Sequence, residues 1–236
     1  MLLSLNKEML FLEYIYKIET HAHTKENSPC GKISARALVG LYKKYGYSGV
    51  NITDHFAYYI IDENADPDKE VERFYRGSQI AAEEGEKLGI NIYHGVEYRL
   101  ESEYSRNEYL LFGTTREFLK KSIRYFHRTY RDFYDFAKSE GVLVFQAHPF
   151  RDGMTPTPDC CDGAEVFNAH PGHDSRNDRA FGYAKSFGLR MLAGSDCHDI
   201  GHAGRSGILS KYIPQNDIEF YELIKSEDYK LIICEN

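Results

Sequence analysis

No stretch of this chain combines Gly, Ser and Pro, none repeats, and none is of low complexity, so nothing in its 236 residues marks a linker between modules. One domain spanning residues 1–236 is the expectation, with residues 1–15 as an N-terminal extension. Cysteine is scarce: five residues, an odd number, with no Cys-x-x-Cys spacing. That argues against a disulfide framework and fits a reducing cytoplasm. Adjacent Cys160 and Cys161 lie in a Pro-rich loop and would bridge each other poorly, so no redox role follows. Long apolar runs are missing too. The N-terminal segment is interrupted by Lys7, Glu8, Glu13 and Lys17 and lacks a basic n-region before an unbroken apolar core, so it is not expected to be a signal peptide, and no run is long enough to span a membrane. Excess positive charge is also absent. Lys and Arg total 29 against 36 Asp and Glu, a net charge of −7, which disfavours non-specific nucleic-acid binding but leaves room for a local basic pocket.

The chain is 42% hydrophobic and 28% charged, an ordinary globular balance. Short apolar runs alternate with longer amphipathic segments. Strands are predicted over 16–20, 49–53, 90–94, 109–112, 142–147, 164–167 and 189–193, with later ones at 208–212 and 229–233. Helices are predicted over 34–45, 69–88, 120–139, 175–187 and 218–225, the first four followed by Gly46, Gly89, Gly141 and Gly188 as caps. Strand–helix alternation predicts an α/β fold with a helix-covered parallel sheet. About seven such strands favour a single distorted TIM-like (β/α)7 barrel over an open sheet, because residues from many strand ends meet most easily inside a ring.

Four short motifs end apolar runs: His21-Ala22-His23, Thr53-Asp54-His55, His148-Pro149 and Asp196-Cys197-His198. Glu97 of Gly95-Val96-Glu97 makes a fifth. On extended backbone, residues two apart face one side, so His21 and His23 can share a metal while Ala22 faces away. Asp196 and His198 repeat that geometry around Cys197. Pro149 is expected to hold His148 extended at a strand end. A carboxylate has two oxygens to share, so Glu97 can bridge cations. Each motif alone reads equally as a core histidine, a turn or a surface carboxylate. Together, imidazoles and carboxylates converging at strand ends point to a multinuclear metal centre and to hydrolysis of phosphoesters.

HxH, TDH, GxE, HP and GSDxH in this order, from about Glu19 to about His202, resemble the PHP (polymerase and histidinol phosphatase) family. The resemblance implies a distorted barrel with two or three divalent metals at the C-terminal rim of the strands. It implies His21, His23, His55, Glu97, His148, Asp196 and His198 as ligands. Two positions depart from the family pattern. After HxHT, where many members carry an Asp or His ligand, this chain reads Lys25-Glu26-Asn27-Ser28-Pro29-Cys30-Gly31; Glu26 is the expected substitute and Cys30 its rival. Where some members carry a His before a strand, this chain has Glu108. If both glutamates point inward, their charge makes a third cation more plausible. Imidazole and carboxylate ligands suit zinc, manganese or iron better than calcium.

Asp54 is a candidate proton shuttle, with His198 as an alternative; the preferred role for Asp54 is to orient a liganding histidine. Phosphate needs further donors. Arg151, Arg99 and Arg205 are candidates, Arg151 foremost, although any one alone reads as a surface ion pair. Asn168, His170, His173 and His202 are expected at the mouth of the site, and His94 and His127 elsewhere. The basic, aromatic stretch Lys120–Arg131 reads better as the solvated face of an amphipathic helix than as a nucleic-acid surface. The expected activity is a cytoplasmic phosphoesterase acting on a small phosphorylated molecule, histidinol-phosphate-phosphatase-like. The rivals are a nuclease or nucleotide phosphatase and a non-catalytic metal-binding barrel.

Overall fold

The computed structural model describes residues 13–102 and 106–234, so most of the N-terminal extension lies outside the described residues. The chain runs β1 (Tyr16–Ala22), α1 (Ala35–Lys44), β2 (Tyr47–Ile52), β3 (His55–Ala57), α2 (Pro67–Phe74), α3 (Arg76–Leu88), β4 (Asn91–His94) and β5 (Val96–Arg99). It continues through β6 (Glu108–Phe112), α4 (Arg116–Ser122), α5 (Tyr130–Ser139), β7 (Leu143–Gln146), β8 (Gly163–Asn168) and α6 (Asn177–Phe187). It closes with β9 (Arg190–Gly194), β10 (Gly207–Ser210), α7 (Asp217–Ser226) and β11 (Tyr229–Ile232). No helix among the described residues is long and apolar enough to cross a membrane.

The mixed α/β class agrees with the sequence, but the strand pairing differs. Among the described residues the strands form two sheets, in the orders β11-β10-β1-β2-β4 and β3-β5-β6-β7-β8-β9, and no single ladder closes into a barrel. Nor is the pairing all parallel. β6 runs antiparallel to β5 and β7, and β10 antiparallel to β1 and β11. The sheets are linked in two ways. β2 breaks at Thr53-Asp54 and resumes as β3, and β4 breaks at Gly95 and resumes as β5, so both runs pass from one sheet to the other. On the far side, one parallel bridge joins Ala22 to Cys197. β3 and β5 escaped the sequence reading because their residues look like loop beyond a strand end.

The expected helix 69–88 is two helices meeting at Tyr75. The expected helix 120–139 divides into α4, a 3-10 turn at Ile123–Tyr125, and α5. A capping box restarts α5: the Thr129 side chain accepts from the Asp132 N–H while Asp132 reaches back to the Thr129 N–H. The apolar period runs through this signal and hides it. Gly89 and Gly188 end α3 and α6 with φ of 64° each, as predicted.

Below the site, Ile18, Leu110, Phe145, Leu192 and Ile208 from both sheets pack with Phe220, Leu223 and Ile224 of α7. Phe220 stacks on Tyr93 with ring centroids 4.2 Å apart. This apolar floor excludes water from one end of the strands and leaves the other end to polar side chains.

Candidate metal centre

Glu97 is the hub. Its Oε1 lies 3.3 Å from His21 Nε2 and 3.2 Å from His148 Nε2. Its Oε2 lies 3.3 Å from His23 Nε2 and 2.9 Å from His55 Nδ1. Asp196 Oδ1 sits 3.4 Å from His21 Nε2, 3.5 Å from His23 Nε2 and 3.3 Å from His198 Nδ1. Glu108 Oε1 is 3.8 Å from His55 Nδ1, and its Oε2 is 3.6 Å from His148 Nε2. All but His198 are buried. The family-implied ligands and Glu108 therefore converge.

Strand direction explains the convergence. His21 is near the C-terminal end of β1, His55 and Glu97 follow the breaks after β2 and β4, and His148 and Asp196 follow β7 and β9. Glu108 is the first residue of β6, and because β6 runs antiparallel to its neighbours, its N-terminal end reaches the same rim. Ala22 and Cys197 point the other way into one apolar cluster, as the alternation predicts. One expectation fails: His148 is not held extended by Pro149 but has φ of 29°, and Asp196 has φ of 49°. Left-handed backbone costs a non-Gly residue of order 1–3 kcal/mol, and surrounding contacts must hold it.

Those contacts come from residues the sequence reading missed. Glu165 Oε1 accepts from His21 Nδ1 at 2.9 Å, and its Oε2 accepts from the His148 backbone N–H at 3.1 Å and Asn168 Nδ2 at 2.8 Å. Glu19, also fully buried, accepts backbone N–H groups of His21 and Ser195 at 3.0 and 2.9 Å and the Tyr42 hydroxyl at 2.6 Å. A carboxylate inside an apolar strand was the available signal, since charge is buried only with partners.

The Asp54 backbone carbonyl accepts the Glu97 N–H at 3.2 Å, but its carboxylate is turned away from the cluster. Its carboxylate accepts from Thr24 N–H, the Thr24 hydroxyl and the Ser28 hydroxyl at 2.6, 2.6 and 2.8 Å, and Ser28 Oγ accepts from His23 Nδ1 at 3.1 Å. Asp54 thus positions His23 through Ser28. Glu26 is engaged elsewhere, its Oε2 accepting the Ala35 N–H at the start of α1 at 3.0 Å. Cys30 instead lines the site cavity.

That cavity, about 340 Å³, is also lined by Lys32, Tyr59, Arg99, Arg151, His170, His173 and His202. Arg151 Nη2 donates to Asp196 Oδ2 at 2.7 Å and Asn168 Oδ1 at 2.9 Å, and Arg99 pairs with Glu108 at 3.4 Å. The Nε–H of each arginine is buried without a hydrogen-bond partner. Asn168 is buried against Glu165 and Asp196, so it braces these two carboxylates more than it lines the mouth. Arg205 lines an adjoining space of about 760 Å³ that shares His170 and His173 with the site. His94 pairs with Asp217, and His127 with Glu63 and Glu101, both away from the centre.

Burial alone would push His21 down, but Glu165, Asp196 and Glu97 outweigh it and hold His21 well above the usual imidazole range. Burial and the charge of His55 oppose protonation of His23, yet Asp196 and Glu97 raise it; Glu97 likewise overcomes burial at His55. The same charges hold Glu97 and Asp196 well below the carboxylate range despite burial. His198 is pushed down to about 3 by burial and by His23.

The side chains fit a cation. With Nδ1–H of His21 given to Glu165 and that of His23 to Ser28, the two Nε2 atoms face each other 3.1 Å apart. Facing lone pairs repel unless a proton or a cation lies near both. His55 Nδ1 and His148 Nδ1 are buried without an aligned hydrogen bond. Among the described residues, four groups of side chains have ligand atoms within 4.8 Å of one another: His21, His23 and Glu97; His55, Glu97 and Glu108; His23, His55 and His198; His170, His198 and His202.

Residues 19–149 match the family model for the PHP domain, and residues 174–208 match the model described as PHP-associated. The chain belongs to the PHP domain family. No curated protein matches it. Among solved structures, this PHP chain is similar to a two-domain protein from Bacteroides vulgatus described as containing a predicted PHP-like metal-dependent phosphoesterase. The identity is 19% and the TM-score 0.62, over 92% of this chain and 64% of that one. It is also similar to PsfC from Pseudomonas syringae (14% identity, TM-score 0.59, covering 93% of this chain and 91% of that one). The lesion-specific endonuclease PfuEndoQ from Pyrococcus furiosus shares the fold at 13% identity and TM-score 0.59, over 92% of this chain and 57% of that one. At these identities the likeness is one of fold.

Proposed function

We propose that this PHP protein is a metal-dependent phosphoesterase that hydrolyses a small phosphorylated molecule. We read the two sheets as one distorted barrel, opened where β2 and β4 break, with the centre at its rim. The observation that carries the reading is the hub: one buried carboxylate, Glu97, with four imidazoles within 3.3 Å of its two oxygens. His21, His23, His55, Glu97, Glu108, His148, Asp196 and His198 would hold two or three divalent ions, zinc, manganese or iron. Bound there, the ions would supply a nucleophilic water at neutral pH and neutralise charge on the phosphoryl oxygens.

The chain's own residues do the rest. Glu165 and Ser28 keep the Nε2 atoms of His21 and His23 free for ligation. Arg151 and Arg99, which line the cavity, would offer guanidinium N–H groups to the phosphoryl oxygens. His170, His173 and His202 contact the remainder of the substrate. A cavity of about 340 Å³ suits a small molecule. Much of the basic charge on α4 and α5 is already paired: Lys120 with Asp68 and Glu117, Lys121 with Glu140, and Arg131 with Asp135. This supports the small-molecule reading over the nuclease reading.

The test is metal content by elemental analysis together with hydrolysis of an aryl phosphate monoester and diester. Two or more ions per chain with turnover, both lost in His21→Ala/His23→Ala, is the expected result. Failure to bind manganese, zinc or iron after reconstitution would sink the assignment.

A further inference from the structure

We infer that His170 and His202 are neutral hydrogen-bond donors rather than metal ligands, and that with Arg205 they bind a carboxylate on the part of the substrate that leaves with the ester oxygen. This deepens the reading above and rests on it. The hydrogen bond made at Nδ1 sorts the imidazoles of the rim. Nδ1 of His21, His23 and His198 faces Glu165 Oε1, Ser28 Oγ and the Asp196 carbonyl at 2.9, 3.1 and 3.0 Å. Each ring donates there and keeps its lone pair on Nε2, the form a cation needs. His170 and His202 are the reverse. The Gly172 N–H donates to His170 Nδ1 at 3.0 Å, and the His198 N–H donates to His202 Nδ1 at 3.4 Å. In a neutral imidazole whose Nδ1 accepts, the proton is on Nε2.

A cation on Nε2 of either ring would force the proton onto Nδ1, against a backbone N–H already aimed there. Those backbone groups are held in place. Asn168 Oδ1 accepts the His170 N–H at 3.1 Å, and the His170 carbonyl accepts the His173 N–H at 3.4 Å. Gly172 lets its amide approach the ring, since a Cβ there would lie 3.0 Å from His170 Cε1. The His198 carbonyl accepts the Lys32 N–H at 2.8 Å, so the peptide that serves His202 is fixed as well. His170, His198 and His202 are close enough to share an ion, but only His198 offers it a lone pair.

The two donors act together. Their ring centroids are 4.5 Å apart, and both rings line the site cavity. His170 also lines the adjoining space that holds Arg205. Arg205 Nε donates to the Ala169 carbonyl at 3.1 Å, which sets the guanidinium beside the residue that precedes His170. Among the described residues Arg205 has no ion pair, so its terminal N–H groups are available. Neighbouring carboxylates are engaged: Asp196 by Arg151, Asp199 by Lys32 and the Ile200 N–H, and Asp174 by the Arg176 N–H. Asp178 of the adjoining space is exposed, where solvent screens its charge. Two neutral donors and one planar guanidinium match a group with two oxygens and one negative charge, which is a carboxylate. A second phosphate dianion would keep uncompensated charge.

Two measurements test this. Nitrogen-15 shifts of histidine-labelled protein report which ring nitrogen carries the proton, the two signals being assigned by their loss in His170→Gln and His202→Gln. Both rings are expected with the proton on Nε2, in metal-free protein and after zinc loading, while His21 and His23 shift on loading. A proton on Nδ1 of either ring, or a coordination shift there with zinc, would overturn the inference. Turnover by the metal-loaded chain is read on phosphate esters of linear ω-hydroxy acids of increasing length, each against the diol monophosphate of the same length, so that only the carboxylate differs. At the best length the acid is expected to lead in kcat/KM by about tenfold, the worth of a charge-assisted hydrogen bond. That ratio should fall toward one in Arg205→Met and His170→Ala and recover in part in His170→Gln, whose amide keeps a donor. The ratio is internal to each variant, so a general loss of activity cancels. Turnover without preference at any length, or a preference that survives Arg205→Met or His170→Ala, overturns the inference and leaves the phosphoesterase reading intact. No turnover of any ester after reconstitution overturns both.

Discussion

Glu97 and Glu165 are both buried carboxylates beside His21, but they act differently. Glu97 meets Nε2, the nitrogen free to ligate, whereas Glu165 meets Nδ1 and fixes the tautomer. Glu165→Gln should therefore retain bound metal but weaken its affinity by about 10–100-fold, as loss of an orienting partner typically does. Chelator competition against the native chain measures this, and an unchanged affinity would contradict the role. The titrating groups predict a pH profile for the metal-free protein. His21, His23 and His55 have raised pKa values, so their contribution to stability is complete below the ordinary value of 6.5 and is lost as pH rises through the folded values. Glu97 and Asp196 have lowered values, so theirs is present above the ordinary 4.5 and 3.8 and is lost as pH falls through the folded values. These five groups favour the mildly acidic window between those limits. His198 and His170, lowered to about 3 and about 4, offset part of that gain below 6.5. The metal-free protein should melt lower toward alkaline pH as His21, His23 and His55 lose their protons. Loaded protein should gain stability as pH rises into the neutral range, because cations and protons compete for the same lone pairs. Melting scans in chelator and in zinc, from about pH 5 to about pH 9, separate the two.

At the scale of elements, the centre depends on α3, which contributes no ligand. A Cβ at Gly77 of α3 would run into Thr24 Oγ1 and come within 2.6 Å of Asp54 Oδ2. Gly77→Ala should therefore push apart the Thr24–Asp54 pair that holds Ser28 and, through it, His23. A destabilisation of about 1–3 kcal/mol is expected, the usual cost of overpacking, together with weaker metal binding. Denaturant unfolding in chelator and metal titration measure the two effects. Gain of helix propensity without loss of metal would show that the helix does not press on the loop. Glu19 plays a comparable part between β1 and the turn after β9. Glu19→Ala would leave the Thr20, His21 and Ser195 N–H groups without their acceptor. Each buried orphan donor costs about 1–3 kcal/mol, so this variant should be among the most destabilising single changes, readable as a fall in the denaturant midpoint.

For the whole molecule, the two sheets are held together at the rim by broken strands and by one backbone bridge, and the centre sits across that seam. His21, His23 and Glu97 derive from runs that start in the first sheet, while Glu108, His148 and Asp196 derive from the second. Cations shared between them would clamp the sheets. Removing metal should lower the melting temperature by an amount that grows with metal concentration in the loaded control; at a thousandfold excess over Kd the difference is roughly 4 kcal/mol. Calorimetry with and without chelator tests this, and coincident transitions would show that the seam closes without ions.

Much of this was legible along the chain. Residue type and local spacing are covalent facts, so alternation alone places His21 and His23 on one face and turns Ala22 and Cys197 into the core. The order of the motifs was enough to bring out the family. The sequence could not say which way a strand pairs. The reversal of β6, which decides that Glu108 reaches the rim, depends on contacts with β5 and β7 that local preference does not encode. The same holds for Glu26 and Cys30, four residues apart on one loop: anchorage to Asp54, to the His198 carbonyl and to the start of α1 decides that Cys30 faces the cavity while Glu26 caps a helix. Chemistry and order came from the sequence; strand direction, bracing carboxylates and left-handed ligand backbones were decided by tertiary structure, because each depends on partners far away in the chain.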